Sequence, residues 1–405
     1  MKTVDIAVIG AGPAGAAAAI QAARLGASVA VFEKAAYGRD KVCGDGLTPR
    51  AVGALNELKI DMTDAHHIDG LRMIANSTRR ELDWPTTTRF PSHGAVWPRR
   101  RLDAALIDAA AEAGAEIIWE TEVLPIMDGD RVTGVEAGNE RWEAGLVVIA
   151  TGAPGQVARM VGATKVANEP FGLAIRSYVE SPRHADRHLE AHLTMRDGNG
   201  NSVPGYGWMF PAGDGTVNIG VGALNTMKGF KGLNLNTLID LYHAQVREEW
   251  EIGPYLEKPR ASRLPMSTQR RHGPGWVAIG DAAGLINPMN GEGIDYSLES
   301  GMLAADLFIT DPLTAPDRYD ALIGERFDSF LRTGRRFSFL IGHPWILNTG
   351  LRLAVGTQAI ANITLKVMGN LVDSETPGIA GLVLGAADRI LAAADPILRR
   401  TRASG

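Results

Sequence analysis

The sequence has little of several features that would point to a particular class of protein. Cys43 is the single cysteine among 405 residues, so no disulfide can form within the chain, and this usage fits a reducing cytoplasm. No segment offers about 18 uninterrupted apolar residues, so we expect no transmembrane helix. The net charge of −5 gives no whole-protein reason to expect a nucleic-acid partner. No signal peptide is expected, because the first apolar run belongs to a predicted strand.

The histidines show no pattern that indicates a metal site. His184, His188 and His192 lie four residues apart, but the segment leads into a strand-like stretch without a companion carboxylate cluster. We interpret these three as surface residues, with metal binding as the less favoured alternative. Cys43, as a lone thiol, cannot build a multi-thiolate zinc site. We therefore predict no bound metal.

The most informative part of the sequence lies between residues 5 and 34. Hydrophobic residues make up 45% of the chain, which is enough for a large core and for more than one structural domain. Residues 4–9 predict a buried strand, residues 13–25 an Ala-rich helix, and residues 27–32 a second buried strand. The first strand and the helix are joined by GAGPAG, and Glu33 ends the second strand. This pattern is the βαβ fingerprint of a dinucleotide-binding site.

Each part of the fingerprint has a physical role. Gly10 allows the tight turn, Gly12 lets the backbone approach a pyrophosphate, and Gly15 lets the helix and strand pack closely. The helix N-terminus offers unpaired N–H groups to the phosphates. Glu33 can accept hydrogen bonds from both hydroxyls of an adenosine ribose. A glycine-rich turn without a ligand is the alternative, and the acid at the expected spacing disfavours it.

A second group of residues, far along the chain, indicates which dinucleotide is bound. Residues 276–279 predict a short buried strand that delivers Asp281, next to Gly280, at its carboxyl end. Such an aspartate can hold the sugar or ribityl hydroxyls of an extended cofactor. The turn NGEGI at residues 290–294 leads into a helix whose positive end can stabilise negative charge on a reduced flavin ring. Together with the first fingerprint, these features favour FAD over NAD.

Between these motifs the sequence pattern alternates. Residues 171–259 contain alternating segments that predict an antiparallel sheet with one covered face. The other predicted elements are strands within 69–84 and at 94–97, 115–123, 131–135 and 146–150, and helices at 50–58, 98–113, 236–251, 293–308, 318–340, 350–371 and 379–398.

The C-terminal region carries an excess of positive charge. Residues 331–405 contain nine Lys and Arg against four Asp and Glu, and residues 329–372 contain no acidic residue. The same window is rich in apolar and aromatic side chains, among them Phe337, Trp345 and Leu351. This composition is typical of attachment to an anionic membrane surface. A helical lobe packed on the core, with solvated arginines, explains it equally well, and both interpretations can hold.

The order of motifs resembles one type of FAD-binding fold. The fingerprint with Glu33, KVCG at 41–44, Arg99 before a helix, ATG at 150–152 and the Gly-Asp pair at 280–281 together resemble the para-hydroxybenzoate hydroxylase type. Within that type, PGYGWMFP at 204–211 and NIGVGA at 218–223 are similar to the geranylgeranyl reductase family. The loop RDKVCGDGLTPRAV and the run NPMNGEGIDYSLESG are most similar to its actinobacterial menaquinone reductase branch.

The resemblance implies an α/β fold in which a Rossmann-type FAD-binding domain is joined to an antiparallel β-sheet substrate domain and a helical C-terminal region. We expect the first part of the FAD-binding domain at residues 1–165, with strands near 69–97 joining the substrate sheet. The substrate domain is expected at 166–265 and the second part of the FAD-binding domain at 266–330. The helical C-terminal region, a candidate for membrane-surface contact, is expected at 331–405.

The resemblance also assigns residues to FAD. Val123, at the end of its predicted strand, would meet the adenine, Arg99 the ribityl-phosphate part, and Asp281 the ribityl or phosphate groups. The full set of expected FAD-binding residues is Gly10, Gly12, Pro13, Ala14, Gly15, Glu33, Lys34, Lys41, Cys43, Gly44, Arg99, Val123, Gly152, Asp281, Gly291, Gly293 and Ile294. Tyr206, Trp208 and Phe210 would belong to the sheet that roofs the flavin.

The implied activity is that of an FAD-dependent reductase that saturates one or more C=C bonds of a polyprenyl chain, with the side chain of menaquinone favoured. Reduction of a geranylgeranyl lipid or diphosphate is the alternative within the family. An FAD-dependent aromatic monooxygenase is an alternative of another reaction class, and a non-enzymatic flavin-binding or membrane-adaptor protein is the least favoured. Hydroxylases of this fold usually carry Asp-Gly where this chain has Thr151-Gly152, which disfavours the monooxygenase.

Alkene reduction needs a hydride at one carbon and a proton at the other. Tyr206 could supply or relay that proton and Cys43 is the other candidate, although packing is favoured for the thiol; Trp208 is expected to contact the substrate. The sequence has no second strand–GxGxxG–helix unit, so electrons would come from transiently bound NAD(P)H or another reductant. We expect a cytoplasmic protein, with peripheral contact at the inner face of the cell membrane and no nucleic acid.

Overall fold

The computed structural model describes residues 2–372, apart from residues 88, 153, 154, 165 and 228, together with residues 385 and 389. The helix predicted at 379–398 lies outside the described residues except at two positions. The strands are β1 (Lys2–Ile9), β2 (Val29–Phe32), β3 (Gly46–Leu47), β4 (His66–Ile68), β5 (Gly70–Ala75), β6 (Thr78–Asp83), β7 (Gly94–Val96), β8 (Glu116–Ile118), β9 (Val123–Asp128), β10 (Arg131–Ala137), β11 (Glu140–Ile149), β12 (Phe171–Glu180), β13 (His188–His192), β14 (Met195–Arg196), β15 (Ser202–Val203), β16 (Gly205–Pro211), β17 (Thr216–Leu224), β18 (Arg260–Pro265), β19 (His272–Gly273) and β20 (Trp276–Ala278).

The α-helices are α1 (Pro13–Arg24), α2 (Pro49–Glu57), α3 (Arg99–Glu112), α4 (Gln156–Met160), α5 (Leu235–Trp250), α6 (Ile294–Thr310), α7 (Ala315–Ile323), α8 (Ser329–Ile341), α9 (Pro344–Ala354) and α10 (Gln358–Met368). Short 3₁₀ turns lie at Phe230–Gly232 and Gly280–Ala283. A π-helical turn, Gly324–Asp328, joins α7 to α8.

The first sheet is the Rossmann-type sheet that the fingerprint predicts. Its main path runs β19-β20-β11-β1-β2-β8, and β10 and β9 extend it from β11. β20, β11, β1, β2 and β8 are parallel neighbours, which requires crossover connections between them. The alanines of α1 are buried, and this lets the helix lie close to the sheet and to α6. The α/β fold class is confirmed.

The second sheet is almost entirely antiparallel. Its seven strands run β18-β12-β17-β16-β13-β5-β6. All pairs are antiparallel as predicted, except β13 with β5, which are parallel. α5 packs on one face of this sheet through Leu238, Tyr242 and Trp250. Strands β5 and β6 therefore lie in this second sheet, whereas β7 pairs with β3 and β4 in a small sheet of its own.

One predicted strand is wrong in its extent. The strand predicted at 115–123 ends at Ile118, because the backbone turns at Glu120, whose φ is +52°. The N–H of Thr121 donates to the carbonyl oxygen of Glu33, so this segment pairs with the end of β2 instead of continuing the sheet. Val123 consequently begins β9 and does not end the preceding strand.

The C-terminal helices also differ from the prediction. The segment predicted as one helix at 350–371 contains the end of α9 and the whole of α10, because Thr357 caps a new helix by accepting from the N–H of Ile360. Among the described residues, no helix combines the length and apolarity needed to cross a membrane.

The three histidines spaced four apart do not form a set of surface residues. His192 is buried, and its Nε2 lies 2.8 Å from a carboxylate oxygen of the fully buried Glu190. That carboxylate also contacts Arg72 and Arg79 at 3.1 and 3.0 Å. The fold thus places His192 in a buried ion-pair cluster around Glu190 of the same strand. Within the described part of the chain, no cluster of His, Cys, Asp and Glu could hold a metal ion.

Candidate active site

The carboxyl ends of three parallel strands open into a cavity of about 950 Å³. Ile9 at the end of β1 pairs with Ile149 of β11 and with Phe32 of β2. The residues that follow these three positions therefore emerge at one edge of the sheet, and they line the cavity. From there the cavity reaches the second sheet and helices α8 to α10. Elements from all parts of the fold thus surround one space.

The glycine turn after β1 has the geometry that a pyrophosphate requires. Gly10 has a φ of +108°, and a Cβ at this position would lie 2.4 Å from the carbonyl oxygen of Ala150. Gly12 precedes α1 and has no side chain to cap it, so the first N–H groups of the helix are available to an anion. Gly15 does not line the cavity; a Cβ there would lie 1.9 Å from the oxygen of Gly10, so its role is close packing.

Glu33 is held in place by the backbone on both sides of it. Its carboxylate accepts from the N–H of Ala11 at 2.9 Å and from that of Ala35 at 3.0 Å. Arg39 lies 3.6 Å from the same carboxylate. The carboxylate lines the cavity, so it is positioned to accept from a ribose there.

The loop that carries Cys43 is fixed by a residue that sequence reasoning missed. The fully buried Asn218 donates from Nδ2 to the carbonyl oxygen of Cys43 at 2.9 Å and to the carboxylate of Asp45 at 2.8 Å. Its Oδ1 accepts from Nε1 of Trp208 at 2.9 Å. Asp45 also accepts from the hydroxyl of Tyr178 at 2.5 Å. These contacts join the loop to the second sheet.

Cys43 and Arg99 meet at the cavity wall. The sulfur of Cys43 accepts from the N–H of Asp45 at 3.3 Å, and burial raises the pKa of the thiol. Arg99 makes two hydrogen bonds with Asp103, at 2.7 and 2.9 Å, so its guanidinium is held rigidly at the start of α3. The thiol therefore keeps its proton at neutral pH, which fits a packing role.

Asp281 of the Gly-Asp motif at residues 280–281 lines the same cavity. Asp281 lies in the turn after β20, and a Cβ at Gly293 would lie 3.2 Å from its carboxylate. Thr151, in the ATG motif, has a buried hydroxyl without a hydrogen-bond partner among the described residues, and it lines the cavity. An unpaired hydroxyl beside glycine turns and a ribose-binding acid fits an extended, polar cofactor such as FAD.

Of the predicted FAD-binding residues, Gly15 alone does not line the cavity. The others are Gly10, Gly12, Pro13, Ala14, Glu33, Lys34, Lys41, Cys43, Gly44, Arg99, Val123, Gly152, Asp281, Gly291, Gly293 and Ile294. Their individual contacts with the cofactor stay predictions.

The three aromatic residues of β16 lie over the glycine loop. A Cβ at Gly44 would lie 3.2 Å from the ring of Phe210 and 3.3 Å from Nε1 of Trp208. Tyr206 also lines the cavity, and its hydroxyl donates to the carbonyl oxygen of Asn290 at 2.6 Å. The rest of this wall is apolar; it is formed by Leu71, Leu189, Ala191, Leu193, Phe337, Ile341, Leu347, Leu351, Val367 and Met368.

A carboxyl group on the turn before α6 was not singled out by sequence reasoning. Glu292 lines the cavity, and its carboxyl accepts from the hydroxyl of Thr48 at 2.6 Å. The only signal in the sequence was an acid between the two glycines that were expected to contact the isoalloxazine.

Known proteins resemble the chain over almost all of its length. The FAD binding domain family matches residues 3–207. The menaquinone reductase of Mycolicibacterium smegmatis is 40% identical over 92% of this chain and 92% of its own length. A digeranylgeranylglycerophospholipid reductase of Methanopyrus kandleri is 30% identical over 75% of this chain and 80% of its own. The crystal structure of a geranylgeranyl bacteriochlorophyll reductase-like protein from Thermoplasma acidophilum superposes with a TM-score of 0.76 at 23% identity, covering 96% of this chain and 100% of that one.

The fold, the fingerprint and the domain match define an FAD-dependent oxidoreductase of the para-hydroxybenzoate hydroxylase type. Within that class, the chain belongs to the family of menaquinone and geranylgeranyl reductases. The family and the FAD cofactor predicted from the motifs are both confirmed.

Proposed function

We propose that this protein is an FAD-dependent reductase that saturates one or more C=C bonds in the polyprenyl side chain of menaquinone. The observation that carries the proposal is the continuity of the cavity. Its polar end contains the dinucleotide turn and Glu33, and its other end is walled by apolar side chains of the second sheet and of α8 to α10. Such a space suits a polar cofactor beside a long hydrocarbon chain. The relatives named as menaquinone reductases support this choice of substrate.

The chain's own residues would orient both molecules. Bound FAD supplies the hydride chemistry. The fingerprint, Glu33, Arg99 and Asp281 would hold the cofactor, while Trp208 and Phe210 would press the alkene against it and exclude water. Positioning and water exclusion contribute strongly to such a reaction, because no carbonyl polarises an isolated alkene.

The source of the electrons is either NAD(P)H or another reductant. The sequence holds a single strand–GxGxxG–helix unit, so transiently bound NAD(P)H or another reductant would deliver the electrons. Reduction of a geranylgeranyl lipid is the alternative substrate proposal, supported by the more distant archaeal relative. Thr151 in place of an aspartate disfavours the aromatic monooxygenase.

The experiment that tests the activity is anaerobic. FAD-loaded protein would be reduced with dithionite, mixed with menaquinone in detergent, and the quinone mass followed over time. A gain of two hydrogens per saturated bond, located on the side chain, is expected. Geranylgeranyl diphosphate serves as the second substrate arm. No gain with any prenyl compound, together with oxygen uptake and hydroxylation of an aromatic compound in a separate aerobic assay with NAD(P)H, would contradict the proposal.

The helices that wall the apolar end also form the proposed membrane contact. Trp345 is 72% exposed and Leu353 is 61% exposed, both on α9. Leu347 and Leu351 of the same helix line the cavity. No acidic residue lies between 329 and 372, so the region carries only positive formal charge. Peripheral docking on an anionic bilayer would bring the apolar end of the cavity to the substrate's own environment.

Vesicle pelleting tests this contact. We expect the protein to pellet with anionic phosphatidylglycerol vesicles, less with neutral ones, and less at high salt. The double variant W345A/L353A should lose most of the pelleting. L313A is the matched control, since Leu313 is 88% exposed but lies between α6 and α7. Equal pelleting of the double variant and the control would refute docking through α9.

A further inference from the structure

Glu292 lines the cavity, and its carboxyl group has no role so far beyond accepting a hydrogen bond from Thr48. It stands on the turn between Gly291 and Gly293, and the backbone of this turn is closed by hydrogen bonds between Asn287 and Gly291 and between Asn287 and Glu292. The amide of Asn290 ties the turn to the carbonyl oxygen of Met368 in α10. The turn is therefore fixed between the first sheet and the C-terminal helices.

No cation neutralises this carboxyl group in the described part of the chain. Arg50, the nearest guanidinium, makes two hydrogen bonds with Glu299, at 2.5 and 2.8 Å, and lies 3.9 Å from Asp295. Glu292 instead contacts neutral groups: the hydroxyl of Thr48 at 2.6 Å and the amide of Asn290 at 3.4 Å. The positive charge beside it is thus shared by two other carboxylates.

These surroundings favour the protonated acid. Burial raises the pKa of Glu292 well above its usual range, and the carboxylate of Asp295 raises it further, while Thr48 and Arg50 oppose the shift. Tyr206 and Tyr296 are the other titratable groups that face it, and burial raises the pKa of both phenols. These surroundings therefore favour the neutral forms of the Glu292 carboxyl and of the two phenols.

The two proton donors predicted from the sequence are less suitably placed. The hydroxyl of Tyr206 already donates to the carbonyl oxygen of Asn290, so it fixes the turn that carries Glu292. The thiol of Cys43 is packed against the loop by the N–H of Asp45. Tyr206 is consequently a positioning residue in this arrangement, and Glu292 is the acid on the same turn that lines the cavity.

We propose that Glu292 is the catalytic acid that protonates the alkene carbon of the bound prenyl chain. The inference rests on the proposed reductase activity. Saturation of one C=C bond adds a hydride, carrying two electrons from reduced FAD, to one carbon. The π electrons form a C–H bond at the other carbon with the proton of Glu292, whose O–H bond breaks and leaves a carboxylate. A proton from water restores the acid before the next turnover.

The first test compares E292Q with the wild type in single turnovers of dithionite-reduced protein and menaquinone. Glutamine keeps the size and the contact with Thr48 but carries no acidic proton. We expect saturation to slow by about 100-fold or more, with the flavin absorbance spectrum and FAD content unchanged. E292D should recover part of the rate, because it keeps the acid. E325Q, at an exposed helical glutamate, is the matched control and should react as the wild type does.

The second readout does not depend on turnover. Infrared spectra of the protein with ¹³C-labelled glutamate should show the carbonyl stretch of a neutral carboxyl at pH 7, and this band should vanish in E292Q. The Y206F variant should keep the band and lose less than about tenfold in rate, as expected for a positioning residue.

The outcomes separate the two claims. If wild-type protein reduces menaquinone and E292Q does so at a similar rate, or if the infrared band is absent from the wild type, Glu292 is not the acid and the reductase proposal stands. If wild-type protein saturates no prenyl compound, the reductase proposal fails and this inference fails with it.

Discussion

Asn218 is fully buried, and its amide joins three parts of the active site. Its amide makes hydrogen bonds with the carbonyl oxygen of Cys43, the carboxylate of Asp45 and the indole N–H of Trp208. Cys43 and Asn218 lie 175 residues apart in the sequence. The loop around Cys43 has little regular structure of its own. Its shape at the cavity therefore depends on this side chain of the second sheet.

Replacing Asn218 by alanine should destabilise the protein by about 3 kcal/mol, because three buried polar groups lose their partner. Retention of FAD should also weaken, since the Cys43 loop loses its support. Chemical denaturation and FAD content after gel filtration measure the two effects. N139A, at an exposed turn between β10 and β11, should change neither. An N218A protein as stable as N139A would contradict this role.

The expected contact of Trp208 with the substrate stays a prediction; Trp208 lines the cavity, and the sequence does not show what fixes its position there. Asn218 lies in an apolar strand, and its partners become visible only once the pairing of β16 with β17 is known. The sequence pattern did not indicate Glu292 as a functional residue, for a related reason. An acid in a glycine turn is ordinary in sequence, and its character comes from burial, from Asp295 in the helix that follows, and from Arg50, which α2 brings close.

At the scale of elements, the pairing of β16 with β17 depends on a missing side chain. Gly220 lies opposite Trp208, and a Cβ at Gly220 would lie 2.1 Å from the indole ring. G220A should therefore displace the indole and cost about 2 kcal/mol or more. G222A is the matched control on the same face of the strand, since its Cβ would meet only ordinary contacts at 3.8 Å. Thermal melting distinguishes them; equal melting temperatures would refute the packing argument.

The buried ion-pair cluster joins β5, β13 and α5. Burial alone would raise the pKa of Glu190, but hydrogen bonds from His192 and Trp250 and the charge of Arg79 lower it to about 2. A carboxylate with a lowered pKa stabilises the fold above its unfolded pKa, and this stability is lost as the pH falls toward 2.

The E190Q variant should consequently be destabilised by about 2 kcal/mol or more at pH 7, because Arg72, His192 and Trp250 lose a charged, buried acceptor. The difference in free energy of unfolding between wild type and E190Q should shrink as the pH falls below about 4.3, the usual pKa of glutamate. Urea unfolding at a series of pH values measures it. A difference independent of pH would show that the charge of Glu190 contributes nothing.

The elements themselves were largely predictable where the pattern was long and periodic. The Rossmann strands, α1, α3, α5 and α6 follow from hydrophobic period and glycine stops. The failures lie where tertiary pairing overrides the local pattern. Glu120 turns because the segment bonds to the end of β2, and Thr357 starts a helix inside a stretch that reads as continuous.

At the scale of the whole molecule, the cavity is lined by residues of both large sheets and of the C-terminal helices. A cofactor bound there touches residues from both ends of the chain, so it should stabilise the complete fold. FAD at about 100 times its Kd should add about 2.7 kcal/mol to the free energy of unfolding. Melting of protein stripped of flavin, with and without added FAD, measures the gain. Stabilisation by AMP to the same degree at the same molar concentration would contradict contact along the whole cofactor.

The motifs predicted the molecule's family, its cofactor and its general architecture, because the fingerprint and the Gly-Asp pair are local patterns with fixed geometry. The division at residues 165, 265 and 330 stays a prediction, as do the individual FAD contacts. These depend on long-range packing that no local pattern encodes. The same holds for the wall of the cavity, which α8 to α10 complete.

The hydrogen bonds of Asn218 bear on how this enzyme could be redesigned. A chimaera that imports β16 from a relative, to accept a different hydrocarbon, would bring a new aromatic roof without the amide that anchors it. The smallest exchangeable unit is therefore discontinuous: the loop at 40–48, β16 and β17 must move together. Random recombination would seldom preserve that set, so substrate range in such proteins should change more readily through single substitutions in the apolar wall than by exchange of segments.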